Sequence, residues 1–252
     1  MAYYFRHPDL VLPDDNSIIW RYMDYSKFQS IFKERSIFFS RADKQTDNFE
    51  GEYPNGMLDE LEKRYRKIGS DDGRSYTYAQ WHTQKEIPSR LLSCWSVGLS
   101  ESRRMWSEYT DTKESVAIRS TIERLKNCFH SENEEKVLMG KIRYGDEENR
   151  LPKSKFKWKV DYFLYPFFSK KEAFRWENEV RATVNIARRK QLRLNHSPNG
   201  CFIKADLNVL IDSVWVHPLA TEDFRHKVGS LLIEFGHCEI SICQSIWESL
   251  PE

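Results

Sequence analysis

Glycine and proline are scarce in this chain, at 10 and 9 of 252 residues. That scarcity excludes collagen-like and low-complexity architectures. No run approaches the roughly 18 to 20 apolar residues that span a bilayer. Met1 to Leu12 lacks a basic segment followed by an apolar one, so no secretory leader is expected and the chain reads as soluble and cytoplasmic. An excess of charge is also missing. Lys plus Arg is 39 and Asp plus Glu is 38, a formal net charge of +1, so no global field marks a polyanion binder. The five cysteines (Cys94, Cys128, Cys201, Cys238 and Cys243) are odd in number and scattered, which suits reduced thiols. His237, Cys238 and Cys243 lie close together without a second ligand pair at zinc spacing. No metal is expected there, and the thiols read as buried in strands.

The familiar catalytic signatures are absent as well. The chain has no glycine-rich loop ending in Gly-Lys-Ser or Gly-Lys-Thr and no three-glycine dinucleotide fingerprint. It also lacks a Gly-x-Ser-x-Gly elbow and a pair of histidines four apart on a helix. Any active site must therefore be assembled from dispersed residues. Material for a core is plentiful: 40% of residues are hydrophobic and 14% aromatic, with 8 Trp, 12 Tyr and 15 Phe. A chain of this length can bury such a core.

Periodicity gives the elements. Ile18 to Met23 reads as a strand. Ser26 caps a helix with Phe28, Ile31 and Phe32 on one face, and Gln29 completes a capping box. The helix ends near Ser36, and Ile37 to Phe39 form the next strand. Leu58, Leu61, Tyr65 and Ile68 recur at helical spacing up to Gly69, before a polar turn from Ser70 to Ser75. Leu91 to Val97 and Ser115 to Arg119 read as strands, and a helix capped by Ser100 runs to Tyr109. Thr121 to Phe129 is helical. Val137 to Tyr144 and Phe156 to Phe163 read as strands around the charged loop Gly145 to Lys153. Val180 to Ile186, Cys201 to Ala205 and Val214 to His217 are further strands. Thr221 caps a last helix with Phe224, Val228, Leu231, Leu232 and Phe235 buried, stopped by Gly236. This order predicts one α+β domain over residues 1–252, a mixed, mostly antiparallel sheet flanked by helices.

Three concentrations of residues can carry chemistry. In a strand through Trp176-Glu177-Asn178-Glu179-Val180-Arg181, period two puts Glu177, Glu179, Arg181 and Thr183 on one face, with Val180, Ala182, Val184 and Ile186 towards the core. A carboxylate there can stabilise a cationic transition state, with Arg181 orienting it and keeping it ionised. The alternative is a solvated face of paired charges. The second concentration is Trp20-Arg21-Tyr22 with Ser40-Arg41-Ala42-Asp43 and Asp47 to Gly51. Arg21 can fork onto a phosphate or carboxylate, and Tyr22 can offer a stacking face. The alternative makes Trp20, Tyr22 and Phe49 core aromatics and Asp43 and Asp47 caps. The third is Cys94-Trp95-Ser96 with Met105 to Tyr109, where Met105 and Tyr109 share a helix face as core packing does. Nothing in the sequence lowers the Cys94 pKa towards a nucleophile's. A separate stripe, Lys153, Lys155, Lys157 and Lys159, alternates with apolar and small residues. It can follow a phosphate backbone, extended by Arg188, Arg189, Lys190 and Arg193, or it can protect an edge strand.

The order Trp20-Arg21-Tyr22, Phe39 to Asp43, Asp47 to Gly51, Ser93-Cys94-Trp95, Met105-Trp106 with Tyr109, then Glu177 and Glu179-Val180-Arg181 resembles the bacterial domain-of-unknown-function 2971 family. The likeness continues weakly through Gly200 to Ser245. The chain departs from the family pattern with Asn48 where many members have Pro and Arg21 where others have His. A more remote layout, an early Arg or His before Tyr and a late strand with paired Glu, is similar to NAD-dependent ADP-ribosyltransferases. That resemblance implies that Arg21 and Tyr22, with Ser40 and Arg41, bind NAD as a substrate. It further implies that Glu179 stabilises the oxocarbenium-like centre and Glu177 activates the acceptor, in a role such as bacterial conflict or phage defence. The competing expectation is a nucleic-acid-binding or interaction module using the lysine stripe.

Overall fold

The computed structural model describes residues 2–8, 10–45, 47, 50–53, 55–64, 68–69, 75–129, 135–145, 164–186 and 197–251. In chain order the first elements are β1 (Ala2–Tyr4), β2 (Ile18–Asp24), α1 (Tyr25–Glu34), β3 (Ser36–Arg41), α2 (Asn55–Arg64), β4 (Ile68–Gly69) and β5 (Ser75–Tyr76). A helical stretch follows as α3 (Tyr78–Trp81), a π turn (His82–Glu86) and α4 (Ile87–Ser89). Then come β6 (Arg90–Val97), α5 (Arg103–Tyr109), β7 (Ser115–Thr121), α6 (Ile122–Asn127), β8 (Glu135–Lys141), β9 (Arg143–Tyr144) and β10 (Ser169–Lys170). The chain ends with β11 (Glu179–Asn185), β12 (Gly200–Lys204), α7 (Leu207–Leu210), β13 (Ser213–Val216), α8 (Glu222–Glu234) and β14 (Ser241–Gln244).

Ten of these strands form one sheet in the order β1-β8-β11-β6-β2-β7-β13-β14, with β3 and β12 branching from β6. The pairs β1/β8 and β13/β14 are parallel, and the remaining pairs of this sheet are antiparallel. The α+β class and the mixed, mostly antiparallel sheet match the expectation. Among the described residues no helix is long and apolar enough to cross a membrane.

The branch at β6 creates the site. One edge of β6 pairs along its length with β11. The other edge is shared: Leu91 and Leu92 pair with Arg41 and Ser40 of β3, whereas Ser96 and Val97 pair with Trp20 and Ile19 of β2. The edge of Ser93 to Trp95 is thus left between two diverging strands, which α1 links in sequence. Both faces of the sheet are covered. On one face Leu91, Trp95, Val180, Ala182 and Val184 pack with Phe28, Ile31 and Phe32 of α1, Leu125 of α6, and Phe224, Val228 and Leu231 of α8. On the other, Leu92 joins Phe167, Phe168 and Ile142, and Trp20 and Tyr22 join Met105 and Trp106 of α5.

Local signals held where capping chemistry was unambiguous. Thr221 caps its helix as expected, accepting from Phe224 N at 3.2 Å, whereas Thr121, expected inside a helix, ends β7 and caps α6 by accepting from Arg124 N at 3.2 Å. Elsewhere the boundaries moved. α1 starts at Tyr25 behind Asp24, which makes no side-chain cap bond, because the preceding strand runs to Asp24 and leaves Ser26 inside the helix. Ser102, not Ser100, caps α5, accepting from Met105 N at 3.3 Å. Ile68 and Gly69 do not end a helix; they pair as β4 with Tyr76 and Ser75. Strand β11 begins at Glu179 rather than Glu177, since Asn178 takes a left-handed conformation (φ 42°) that closes a 3-10 turn, Glu172–Glu177. Cys238 is exposed rather than buried in a strand, and no metal-binding cluster occurs among the described residues. The expected strand Phe156 to Phe163 and the lysine stripe Lys153 to Lys159 with Arg188, Arg189, Lys190 and Arg193 lie wholly outside the described residues.

Candidate functional site

A cavity of about 350 Å³ opens at the branch, lined by Trp20, Arg21, Tyr22, Phe38, Ser40, Cys94, Trp95, Tyr109, Glu177 and Glu179, with Lys27, Lys44 and Gln45 among its other walls. Residues as far apart in sequence as Trp20 and Glu179 therefore meet in one place. Of the expected site residues, Arg21, Tyr22, Ser40, Glu177 and Glu179 line the cavity. Arg181 lies behind it. Arg41 is absent from its walls, and its guanidinium instead pairs with Asp43 at 2.9 and 2.7 Å.

Arg21 spans the gap between the diverging strands. Its Nη1 donates to Ser93 Oγ on β6 at 3.0 Å, and its Nη2 donates to the Phe38 carbonyl on β3 at 2.7 Å. The guanidinium also lies over the Trp95 ring at 5.7 Å. Among the described residues no carboxylate pairs with it, and burial lowers its pKa to about 10. An uncompensated cation facing a cavity is an anion-seeking group. Tyr22 stands beside it, held edge-on against Trp106 (5.0 Å between ring centres) and accepting from Ser102 N at 3.0 Å. Burial raises its phenol pKa, so it stays neutral. Ser40 Oγ accepts from Gln45 Nε2.

Another stretch of the lining is acidic. Glu177 Oε1 accepts from Tyr109 Oη at 2.8 Å, and its Oε2 accepts from Lys170 Nζ at 2.6 Å. Lys170 Nζ also lies 2.9 Å from Glu179 Oε2. Arg181 grips Glu179 through Nε (2.7 Å) and Nη2 (3.1 Å), and with its remaining donors holds Glu50 (2.5 and 3.0 Å) and the Phe167 carbonyl (2.7 Å). All five groups are buried, Arg181 completely. The expected alternation of β11 is present, but the alternative of a solvated face is overturned: loops from 50–53 and 164–177 cover it. Three carboxylates face two cations, a formal excess of one acid. Burial by itself would raise Glu179, but Arg181 and Lys170 outweigh it and hold the carboxyl down to about 2. Burial raises Glu177 and Glu50. The pair on the cavity wall thus consists of a firmly ionised carboxylate beside a more basic one. Cys94 lies next to them with its thiol pKa raised by burial, which leaves it a protonated donor to Glu179.

Sequence reasoning missed Lys170, the partnership of Glu50 with Arg181, and Tyr109 as a donor. The excess of acid over base in Glu177, Glu179 and Arg181 was a usable signal that another cation had to be near, though nothing pointed to Lys170.

No family model and no curated protein sequence matches the chain. Among solved structures it is similar to Thermus sp. 2.9 DarT in complex with ADP-ribosylated ssDNA, at 9% identity and a TM-score of 0.39, over 94% of this chain and 99% of that one. The same protein in complex with carba-NAD+ matches at 9% identity and a TM-score of 0.38, over 93% and 99% of the two chains.

Proposed function

We propose that the chain cleaves the bond between nicotinamide and ribose in NAD and transfers ADP-ribose to an acceptor. The observation that carries this reading is that one cavity is bordered both by Arg21, a guanidinium with no carboxylate partner among the described residues, and by the carboxylates of Glu177 and Glu179. NAD has the complementary distribution, an anionic diphosphate and a cationic pyridinium on either side of one ribose. Arg21 takes the phosphate end, with Ser40 and Gln45 bracing that wall, and Tyr22 lines the nicotinamide ring. Arg41, paired with Asp43, is assigned no part. As the C1′–N bond breaks, its electron pair leaves with the nicotinamide nitrogen and positive charge develops on the ribose. Glu179, already ionised and fixed by Arg181, stabilises that charge without reorganising. Water or an acceptor hydroxyl then attacks C1′, and its proton passes to Glu177, the more basic carboxylate.

The test is nicotinamide release from NAD by the purified protein beside Glu179→Gln, with circular dichroism to verify that the variant is folded. Release that falls by about 10²–10³-fold in the folded variant is expected. Wild-type protein that neither releases nicotinamide nor binds NAD would end the proposal, as would a folded variant of undiminished activity.

A further inference from the structure

Lys170 reaches the site from β10, a strand of two residues paired with β9, and follows the buried aromatic turn Tyr165–Phe168. Lys170 is 8% exposed, and its ammonium contacts both cavity carboxylates, 2.6 Å from Glu177 Oε2 and 2.9 Å from Glu179 Oε2, with the Phe174 ring 5.4 Å away. Two carboxylates that share a buried site repel, and without a cation between them one takes up a proton. Arg181 cannot do this work, because its donors are divided between Glu179, Glu50 and the Phe167 carbonyl and none reaches Glu177.

We infer that Lys170 is a positioning residue whose ammonium ties Glu177 and Glu179 into one pre-set pair, fixing together the group that faces the ribose and the group that takes the acceptor's proton. This inference rests on the proposed cleavage of NAD. The other groups facing the pair are Tyr109 from α5, Cys94 from β6 and Tyr144 from β9, whose hydroxyl accepts from Glu179 N at 2.8 Å. Burial raises the pKa of all three, so each is neutral over the range in which the carboxylates titrate. Lys170 and Arg181 are then the cations that keep the pair ionised, with Glu50 sharing Arg181 from behind.

The pH profile of nicotinamide release separates this role from mere support. Wild-type activity should decline on the acid side only as Glu177 takes up its proton, since Glu179 remains ionised. Lys170→Met should move this acid limb to higher pH, losing about tenfold for each pH unit below the new pKa of the pair. Lys170→Arg should restore the wild-type profile. Lys170→Gln keeps hydrogen-bond donors without the charge, serves if the methionine variant does not fold, and should show the same shift of the acid limb. A folded, active Lys170→Met or Lys170→Gln protein with the wild-type profile overturns the role of the lysine while leaving the cleavage reading intact. Wild-type protein without turnover overturns both.

Discussion

Replacing Arg181 by methionine tests how the anionic wall is held. The guanidinium is fully buried and makes five hydrogen bonds, two to Glu179, two to Glu50 and one to the Phe167 carbonyl. Methionine fills much of the volume but leaves two carboxylates and a carbonyl without their donor. Breaking a buried ion pair from one side costs about 3–5 kcal/mol. One cation serving two acids puts the expected loss at the upper end, about 4–5 kcal/mol, a large part of the roughly 5–15 kcal/mol that stabilises a typical domain. The pH dependence has a definite sign. In the wild type Glu179 is depressed to about 2, so its contribution is present above the unfolded carboxylate pKa and is lost as pH falls through about 2. In the variant Glu179 and Glu50 are buried without the guanidinium and their pKa values rise, so the folded state binds protons more tightly than the unfolded one and gains stability as pH falls from 7 towards 5. Urea unfolding at both pH values reads the difference. The gap between the two proteins should be widest at pH 7 and narrower at pH 5. A loss under about 1 kcal/mol at pH 7, or a gap that does not change with pH, would refute the reasoning. Adding Glu50→Gln and Glu179→Gln to the methionine variant should recover about 2 kcal/mol, because the stranded charges are gone.

Two further outcomes follow from the branch of the sheet. A Cβ at Gly200 would lie 2.2 Å from the Phe39 carbonyl oxygen and 2.9 Å from Ser40 Cα, both backbone atoms of β3. Gly200→Ala should therefore destabilise by about 1–3 kcal/mol and speed hydrogen exchange in β3 and β12, measured by urea unfolding and exchange mass spectrometry. Arg21→Met removes a cation with no carboxylate partner among the described residues, so stability should change little while NAD binding, followed by calorimetry, weakens by about 10–100-fold, the equivalent of a charge-assisted hydrogen bond.

How much of this was readable in the sequence depended on the range of the interactions. Strand period along Val180, Ala182 and Val184 and the cap at Thr221 are decided within a few residues, and both are legible in the sequence. The end of α2 was not, because Ile68 has the spacing of a helix but finds its partner in Tyr76, a tertiary choice. The burial of the charged face of β11 was equally invisible. Alternation tells which residues share a face, and only the fold decides whether that face meets water or the turn Tyr165–Phe168. Lys170 shows the limit most sharply, since its two partners are seven and nine residues away, across a 3-10 turn that reverses at Asn178.

The anionic wall is hard to account for as a device for stability. A buried ion network replaced by apolar residues of similar volume is often neutral or stabilising, so the fold itself has no need of Glu50, Lys170, Glu177, Glu179 and Arg181 together. The neighbouring strand shows the apolar alternative, for Leu92 of β6 packs in a cluster with Ile87, Phe167 and Phe168. Where the network borders the cavity, the two groups exposed to it are its carboxylates, while Arg181 is withdrawn behind them. Elsewhere in the lining Arg21 reaches the wall, and among the described residues no carboxylate pairs with it. Arg21 and the two carboxylates thus border one cavity without pairing with each other. A ligand that carries both signs at matching ends supplies what the fold withholds, which is the physical basis for placing a dinucleotide there.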